Sequence, residues 1–227
     1  MNITPNSNTS FGHSMTAHLF FTEKAVEKCR ALSKVEKRML ARFSQMPDVD
    51  LRETTDWISP HFIDIKYIEK DPCFGTKNDA KNNALSRFLR WSKKAAREKD
   101  RETFLRNLGY AVHYLQDAAT PPHTEHGNYL HKLFRAPMHK WFEKGKTLGM
   151  TSKLELLSSN YVPKRREFKD LKKLFMDTAY FSVRPENRVR YTNIPKWGGI
   201  QQRCFNETLD VTKMYLDYML KFLPPKA

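Results

Sequence analysis

The chain reads as an all-α protein, a compact single-domain multi-helix bundle. Apolar residues recur at spacings of three and four through most of its length, no segment shows the clean alternation of a strand, and helix-start signals precede several periodic runs. The 227 residues suit one domain, since single domains commonly run to about 200–250 residues. A hydrophobic content of 40%, with 15 Phe, 9 Tyr and 4 Trp, is ample for a packed core. Such a composition excludes disorder for most of the chain, and no repeat at a solenoid period is present.

Residues 1–13 form a polar lead-in, read as flexible. From Thr16 to Leu32 the pattern is helical, with His18, Ala25, Cys29 and Leu32 on one face and Glu23, Glu27, Lys28 and Arg30 around the other. Ser33 followed by Glu36 is a capping box that opens a second helix reaching about Gln45, where Pro47 ends it. From Asp48 to Thr76, three prolines or glycines and five aspartates interrupt any period, so a long loop is expected. Asn78 to Arg97 is helical again. After a Lys-Asp-Arg break, Glu102 to Ala118 carries the stripe Leu105, Leu108, Val112 and Leu115, with small Gly109 leaving room beside His113 and Asp117. Pro121 and Pro122 forbid continuation and put His123 in the following turn. Pro137 suits the first turn of a helix carrying His139 and Glu143. Lys164 to Val183 and Ile200 to Leu223 are the last two helical patterns.

Several function classes fall away on composition. Three cysteines at wide spacing, Cys29, Cys73 and Cys204, give neither a complete disulfide framework nor a CxxC knuckle. No run of eighteen apolar residues is present, which excludes an ordinary transmembrane helix. The start MNITPNSNTS lacks the basic and apolar stretches of a signal peptide. A formal net charge of +15 predicts attraction to polyanions, either anionic phospholipid surfaces or nucleic acid. The basic runs Lys164, Arg165, Arg166, Lys169, Lys172, Lys173 and Arg87, Arg90, Lys93, Lys94, Arg97 are solvated helix faces in the plain reading and lipid-docking surfaces in the functional one.

The chemistry concentrates between His113 and Glu143. Five metal-competent side chains fall in these thirty-one residues, with His113 and Asp117, and His139 and Glu143, each four apart. Four residues is about one helical turn, so each pair projects from one face toward a common point. Two such faces plus His123 between them describe a multi-metal site in a cleft, and neutral imidazole with carboxylate is the donor set of zinc. His18 and His61, taken singly, are ordinary core histidines. His13, His126 and His131 read as surface or supporting residues.

These pieces resemble the zinc-dependent phospholipase C family, the bacterial phosphatidylcholine-preferring enzymes and the alpha-toxin catalytic domain. The likeness runs through Ala17-His18-Leu19, Ser59-Pro60-His61-Phe62, HYLQD at 113 to 117, PPH at 121 to 123 and HKWFE at 139 to 143. It implies two or three zinc ions. His61, His113 and Asp117 would bind one, with Asp117 bridging; His123, His139 and Glu143 would bind a separate one; His18 would help hold the third. Asp48 would be the acidic residue near the metals, as general base or additional ligand, with Asp50 as the fallback. The implied reaction is hydrolysis of the glycerol-side phosphodiester of a phospholipid, by a monomer at a membrane surface and exported from a bacterial cell.

The resemblance breaks at the start. In that family an N-terminal Trp completes the third metal site, whereas the corresponding residue here is Pro5 and no Trp precedes Trp57. Two competing readings remain open. A zinc-dependent single-strand nuclease shares the metal arrangement, although those enzymes usually carry HxxxD where this chain has HxxxE. A zinc-stabilised basic protein that binds membranes or nucleic acid without turnover is the other.

Overall fold

The computed structural model describes residues 15–50, 63, 83–124, 150–164, 168, 170–187 and 197–226. In chain order the helices are α1 (Met15–Val26), α2 (Lys34–Phe43), α3 (Ala84–Arg97), α4 (Arg101–Ala118), the single turn α5 (Pro121–Thr124), α6 (Met150–Ser159), α7 (Leu171–Ser182) and α8 (Trp197–Met219). Short 3-10 turns occupy Met46–Asp48, Pro185–Asn187 and Leu220–Phe222, and no strand occurs among the described residues. The fold is an all-helical bundle, as the periodicity predicts. None of the described helices is long and apolar enough to cross a membrane.

The central helix is α4. From Phe104 to Ala118 every residue except Arg106 is buried, so the predicted single apolar stripe understates it. A helix buried on all sides is a core helix, and α2, α3, α8, α7 and α1 all pack on it. The main core joins Leu40, Phe88, Phe104, Leu105, Leu108, Val112, Leu115, Phe175 and Tyr215. A smaller cluster of Ala17, Phe21, Leu154, Phe205 and Leu209 ties α1 to α6 and α8.

The Ser33–Glu36 capping box is realised in detail. Glu36 N–H donates to Ser33 Oγ at 3.3 Å and Ser33 N–H to Glu36 Oε2 at 2.7 Å, the reciprocal bonds of the capping box. Asn83, Asp100 and Asp170 accept from the backbone N–H of Ser86, Thr103 and Lys173 and so start α3, α4 and α7.

Several boundaries differ from the sequence reading. The first helix ends at Val26 rather than Leu32, because tertiary donors hold the following backbone open: Lys37 Nζ donates to the Glu27 carbonyl at 2.8 Å and Arg101 to the Ala31 carbonyl at 3.1 Å. The helix expected from Lys164 begins only at Leu171, where Asp170 supplies the cap. Lys164 is non-helical, its backbone N–H donating to Asp210, so the basic run is not one helix face. Helix α6 was not foreseen. His123 lies in the turn α5, where Pro121 needs no N–H partner. The loop expected from Asp48 is described only at its start, a 3-10 turn, and at Ile63; the expected helix around Pro137 lies outside the described residues.

Gly109 fixes how closely α2 approaches α4. A Cβ there would stand 2.5 Å from Phe43 Cβ and 2.8 Å from the Phe43 carbonyl carbon. The room expected beside the His-Asp pair is filled by the end of α2. Gly109→Ala gains about 1 kcal/mol of helix propensity but forces backbone apart, and its net effect is expected to be a loss of about 1–3 kcal/mol in denaturant unfolding.

Arg101 donates to Glu36 and, through the same guanidinium, to the Pro224 carbonyl, binding the start of α4 to α2 and to the C-terminal segment. The Arg101 contact, opposed by burial and aided by Ser33, holds the Glu36 carboxyl at about 2, below its ordinary 4.5. A depressed folded pKa stabilises above the unfolded value and loses that contribution as pH falls through the folded one. Glu36→Gln is therefore expected to be less stable than the parent at pH 7, by about 1–2 kcal/mol, with the gap closing between about pH 4.5 and 2 in a pH series of thermal melts.

Candidate metal centre

One helical turn of α4 supplies His113 and Asp117, and α1 crosses beside it to bring His18 to the same point. All three are fully buried. Their rings and carboxylate are close: His18 and His113 stack with centroids 4.0 Å apart. His18 Nε2 lies 3.4 Å from Asp117 Oδ1, and His113 Nε2 lies 3.2 Å from Asp117 Oδ2. The 3-10 turn after α2 adds Asp48, whose Oδ1 is 3.6 Å from His113 Nε2. The turn α5 adds His123, whose Nδ1 is 3.7 Å from Asp117 Oδ2.

The hydrogen-bond network decides which ring nitrogens carry protons. His113 Nδ1 faces the Ser44 carbonyl at 2.9 Å, and a carbonyl only accepts, so Nδ1 donates. For His18 the partner is Gln116 Oε1 at 2.7 Å. The Gln116 orientation follows from its amide group, which donates to Thr22 Oγ1 at 3.1 Å and Thr212 Oγ1 at 3.3 Å. Both hydroxyl protons are already committed, Thr22 to Ser44 Oγ at 2.9 Å and Thr212 to the Thr208 carbonyl at 2.6 Å. With its nitrogen so engaged, Gln116 presents oxygen to His18, and His18 Nδ1 carries the proton. Both neutral imidazoles thus turn the Nε2 lone pair toward Asp117.

Lone pairs and carboxylate oxygens converging at 3.2–3.7 Å repel unless a cation sits among them. Zinc bonds of about 2.0–2.2 Å set tetrahedral ligand edges near 3.3 Å, and the observed separations bracket that value. His18, His113 and Asp117 each offer a ligand atom within 4.8 Å of the others. Asp48 Oδ2 is buried with no hydrogen-bond partner among the described residues, an acceptor awaiting a proton or ion. The donor set and its spacing fit a divalent metal.

Proton affinities agree. Burial pulls His18 down, but its contact with Asp117 and the Asp48 charge outweigh this and raise it above the ordinary histidine value. Burial, joined by the charge of His18, lowers His113. Burial pushes Asp117 upward, yet the charges of His123 and His113 prevail and hold it ionised, well below the carboxylate range. The pocket favours one positive charge beside Asp117, which a proton on His18 or a metal ion can supply.

The chain thus brings together five of the residues singled out from sequence: His18, Asp48, His113, Asp117 and His123. His123 Nδ1 stands on the same Asp117 oxygen that His113 faces. Asp50 diverges, accepting from the Tyr110 hydroxyl at 2.8 Å, so Asp48 alone of the two aspartates faces His113. His61, His139 and Glu143, and also His13, His126 and His131, lie outside the described residues. Gln116, Ser44, Thr22 and Thr212 were not anticipated. The one available signal was a Gln next to Asp117 on a helix that had no solvent face to spare for it.

Around His123 the backbone is pinned by short side chains. Thr124 and Ser182 hydroxyls meet at 2.6 Å, Ser182 Oγ donates to the Ala118 carbonyl at 3.0 Å, and the His123 carbonyl accepts from Ile63 N–H at 3.0 Å. These bonds join α4, α5 and α7 where the chain turns.

No protein-family model matches this chain, and no curated protein matches it in sequence. Solved structures match it in fold. Alpha toxin from Clostridium absonum superposes with a TM-score of 0.60 over 97% of this chain and 65% of its own length, at 14% identity. The alpha-toxin of Clostridium perfringens from an avian strain gives 0.59 over 96% of this chain and 64% of its own, at 18% identity. The chain therefore spans about two thirds of the length of either toxin. What it shares with them is the helical fold, and within that fold it carries a buried His-His-Asp group able to hold a metal.

Proposed function

We propose that this chain is a zinc-dependent phospholipase C, hydrolysing the glycerol-side phosphodiester of a phosphatidylcholine-like lipid to diacylglycerol and a phosphorylated head group. The observation that carries the reading is the convergence of His18, His113, His123, Asp48 and Asp117 on one buried point in a fold like that of the alpha-toxins. The motifs that resemble the zinc phospholipases supply His61, His139 and Glu143 as the remaining ligands of two or three ions. When bound, zinc lowers the pKa of its water to about 7 and neutralises charge on phosphoryl oxygens.

The protein's own groups do the rest. Asp117 holds a permanent negative charge in a dry site and is shared by three imidazoles. Gln116 and the Ser44 carbonyl retain the Nδ1 protons, so the Nε2 lone pairs stay available. Asp48 accepts the proton of the attacking water, as its buried Oδ2 has no other partner among the described residues. The net charge of +15 draws the monomer to anionic interfaces as a peripheral protein. The same charge favours a second reading, a single-strand nuclease.

Metal analysis is expected to find at least two zinc ions per chain, and chelator is expected to abolish phosphatidylcholine hydrolysis. Asp117→Asn should lose zinc and at least about 100-fold of the activity. Turnover of single-stranded DNA without lipid turnover would select the nuclease, and zinc without any turnover would leave a metal-stabilised binding protein.

Gln116→Leu removes the acceptor that holds His18 Nδ1–H and leaves the threonine oxygens facing an apolar group. Zinc affinity by chelator competition is expected to fall about 10–100-fold. Gln116→Glu, which keeps the acceptor, should lose less, and nitrogen NMR of the His18 ring should report a mixed tautomer only in the Leu variant.

A further inference from the structure

Away from the metal centre, α3 and α4 run antiparallel across a three-residue connection and leave a second opening between them. On α3, Trp91, Lys94 and Arg97 follow at spacing three; on α4, Thr103, Arg106, Asn107 and Tyr110 recur at three and four. These stripes, with Glu98 at the closed end, line a cavity of about 500 Å³. That volume lies within the range of about 300–1,000 Å³ typical of small-molecule sites. Tyr110 lines this cleft, and its hydroxyl donates to Asp50.

Three cations, Lys94, Arg97 and Arg106, share the cleft lining with one carboxylate, Glu98. Glu98 Oε1 accepts from the backbone N–H of Lys99 at 2.9 Å and of Asp100 at 3.1 Å, and Asp100 accepts from Thr103 N–H, so both nearby carboxylates are committed to the turn. Among the described residues no carboxylate forms a close ion pair with Lys94, Arg97 or Arg106, although the Arg106 charge reaches Asp100. The Lys94 ammonium stands 4.2 Å over the Trp91 ring instead. Deeper in, Asn107 is only 6% exposed and lines the same cleft. Its amide offers a donor and an acceptor on the cleft wall to a polar group of a ligand. Beside it the Trp91 and Tyr110 rings lie 4.7 Å apart and give the cavity an apolar wall.

From this combination we infer that the α3–α4 cleft is a binding site for a phosphate ester, its phosphoryl oxygens taken by Arg97, Arg106 and Lys94 and its organic part lying on Trp91 and Tyr110 with a polar group on Asn107. Two guanidiniums and an ammonium match the charge and the paired oxygens of a phosphate better than they match a carboxylate. A cleft of this volume, with the Asn107 amide on its wall, suits a small ester or a single lipid head group rather than an extended strand. The inference is independent of the reaction proposed above.

The test titrates full-length protein with sn-glycerol 3-phosphate, with zinc and again with chelator, following the Asn107 side-chain amide and Trp91 indole by NMR. Saturable one-site binding that persists in chelator and shifts both signals is expected. Arg97→Gln/Arg106→Gln should weaken it about tenfold or more, while the charge-matched Lys28→Gln/Lys34→Gln should leave it unchanged. Asn107→Leu should weaken it several-fold, and the exposed double variant decides the matter if Asn107→Leu does not fold. Phosphatidylcholine vesicles containing phosphatidic acid separate the sources. Binding to vesicles that Arg97→Gln/Arg106→Gln abolishes and glycerol phosphate cannot displace identifies a lipid head group, and displacement identifies a soluble ester. The inference is overturned if chelator abolishes binding, if both double variants weaken it equally, if Asn107 does not shift, or if an oligonucleotide binds more tightly with increasing length at equal phosphate concentration.

Discussion

A carboxylate with no solvent exposure, in the last turn of a helix buried along most of its length, is the constraint on which the rest of this structure depends. Removing an ion from water costs several kcal/mol even after relaxation. Asp117 can exist there only if positive charge is supplied beside it. Three imidazoles surround it from three different elements: α1, α4 itself and the turn α5. Because those rings must stay neutral to bind metal, the buried charge calls for a cation from outside the chain, or for a proton retained on His18 in its place.

That requirement propagates outward through hydrogen bonds. The Ser44 carbonyl, at the end of α2, can reach His113 only because Gly109 removes the side chain that would hold α2 away. Gln116 can face His18 with oxygen only because Thr22 and Thr212 have spent their own protons elsewhere. A buried network of this kind is stable only when every member is satisfied, and it links α1, α2, α4 and α8 into one frame around the site. The likeness to clostridial alpha-toxins at 14–18% identity concerns this frame of helices.

Positive charge has more than one role in so basic a chain. At α2 and α4, Arg101 closes a capping box and holds the C-terminal segment. At α3 and α4, Arg97 and Arg106 border a cleft that the Asn107 amide also lines. The first arrangement stabilises the fold, and the second leaves electrostatic free energy available to a ligand.

What the sequence by itself determined follows from local rules. Helical periods, the Ser33–Glu36 box and the break at Pro121 depend on neighbours within four residues, and the structure reproduces them. The four-residue spacing of His113 and Asp117 likewise fixes one shared face. Tertiary structure decided what local rules cannot carry: that Asp48 and not Asp50 turns to His113, that α1 stops at Val26 because Lys37 and Arg101 take its following carbonyls, and that Gln116 is an orienting group. Each of these depends on a donor or acceptor tens of residues away, whose arrival is set by the packing of whole helices rather than by anything written beside the residue it meets.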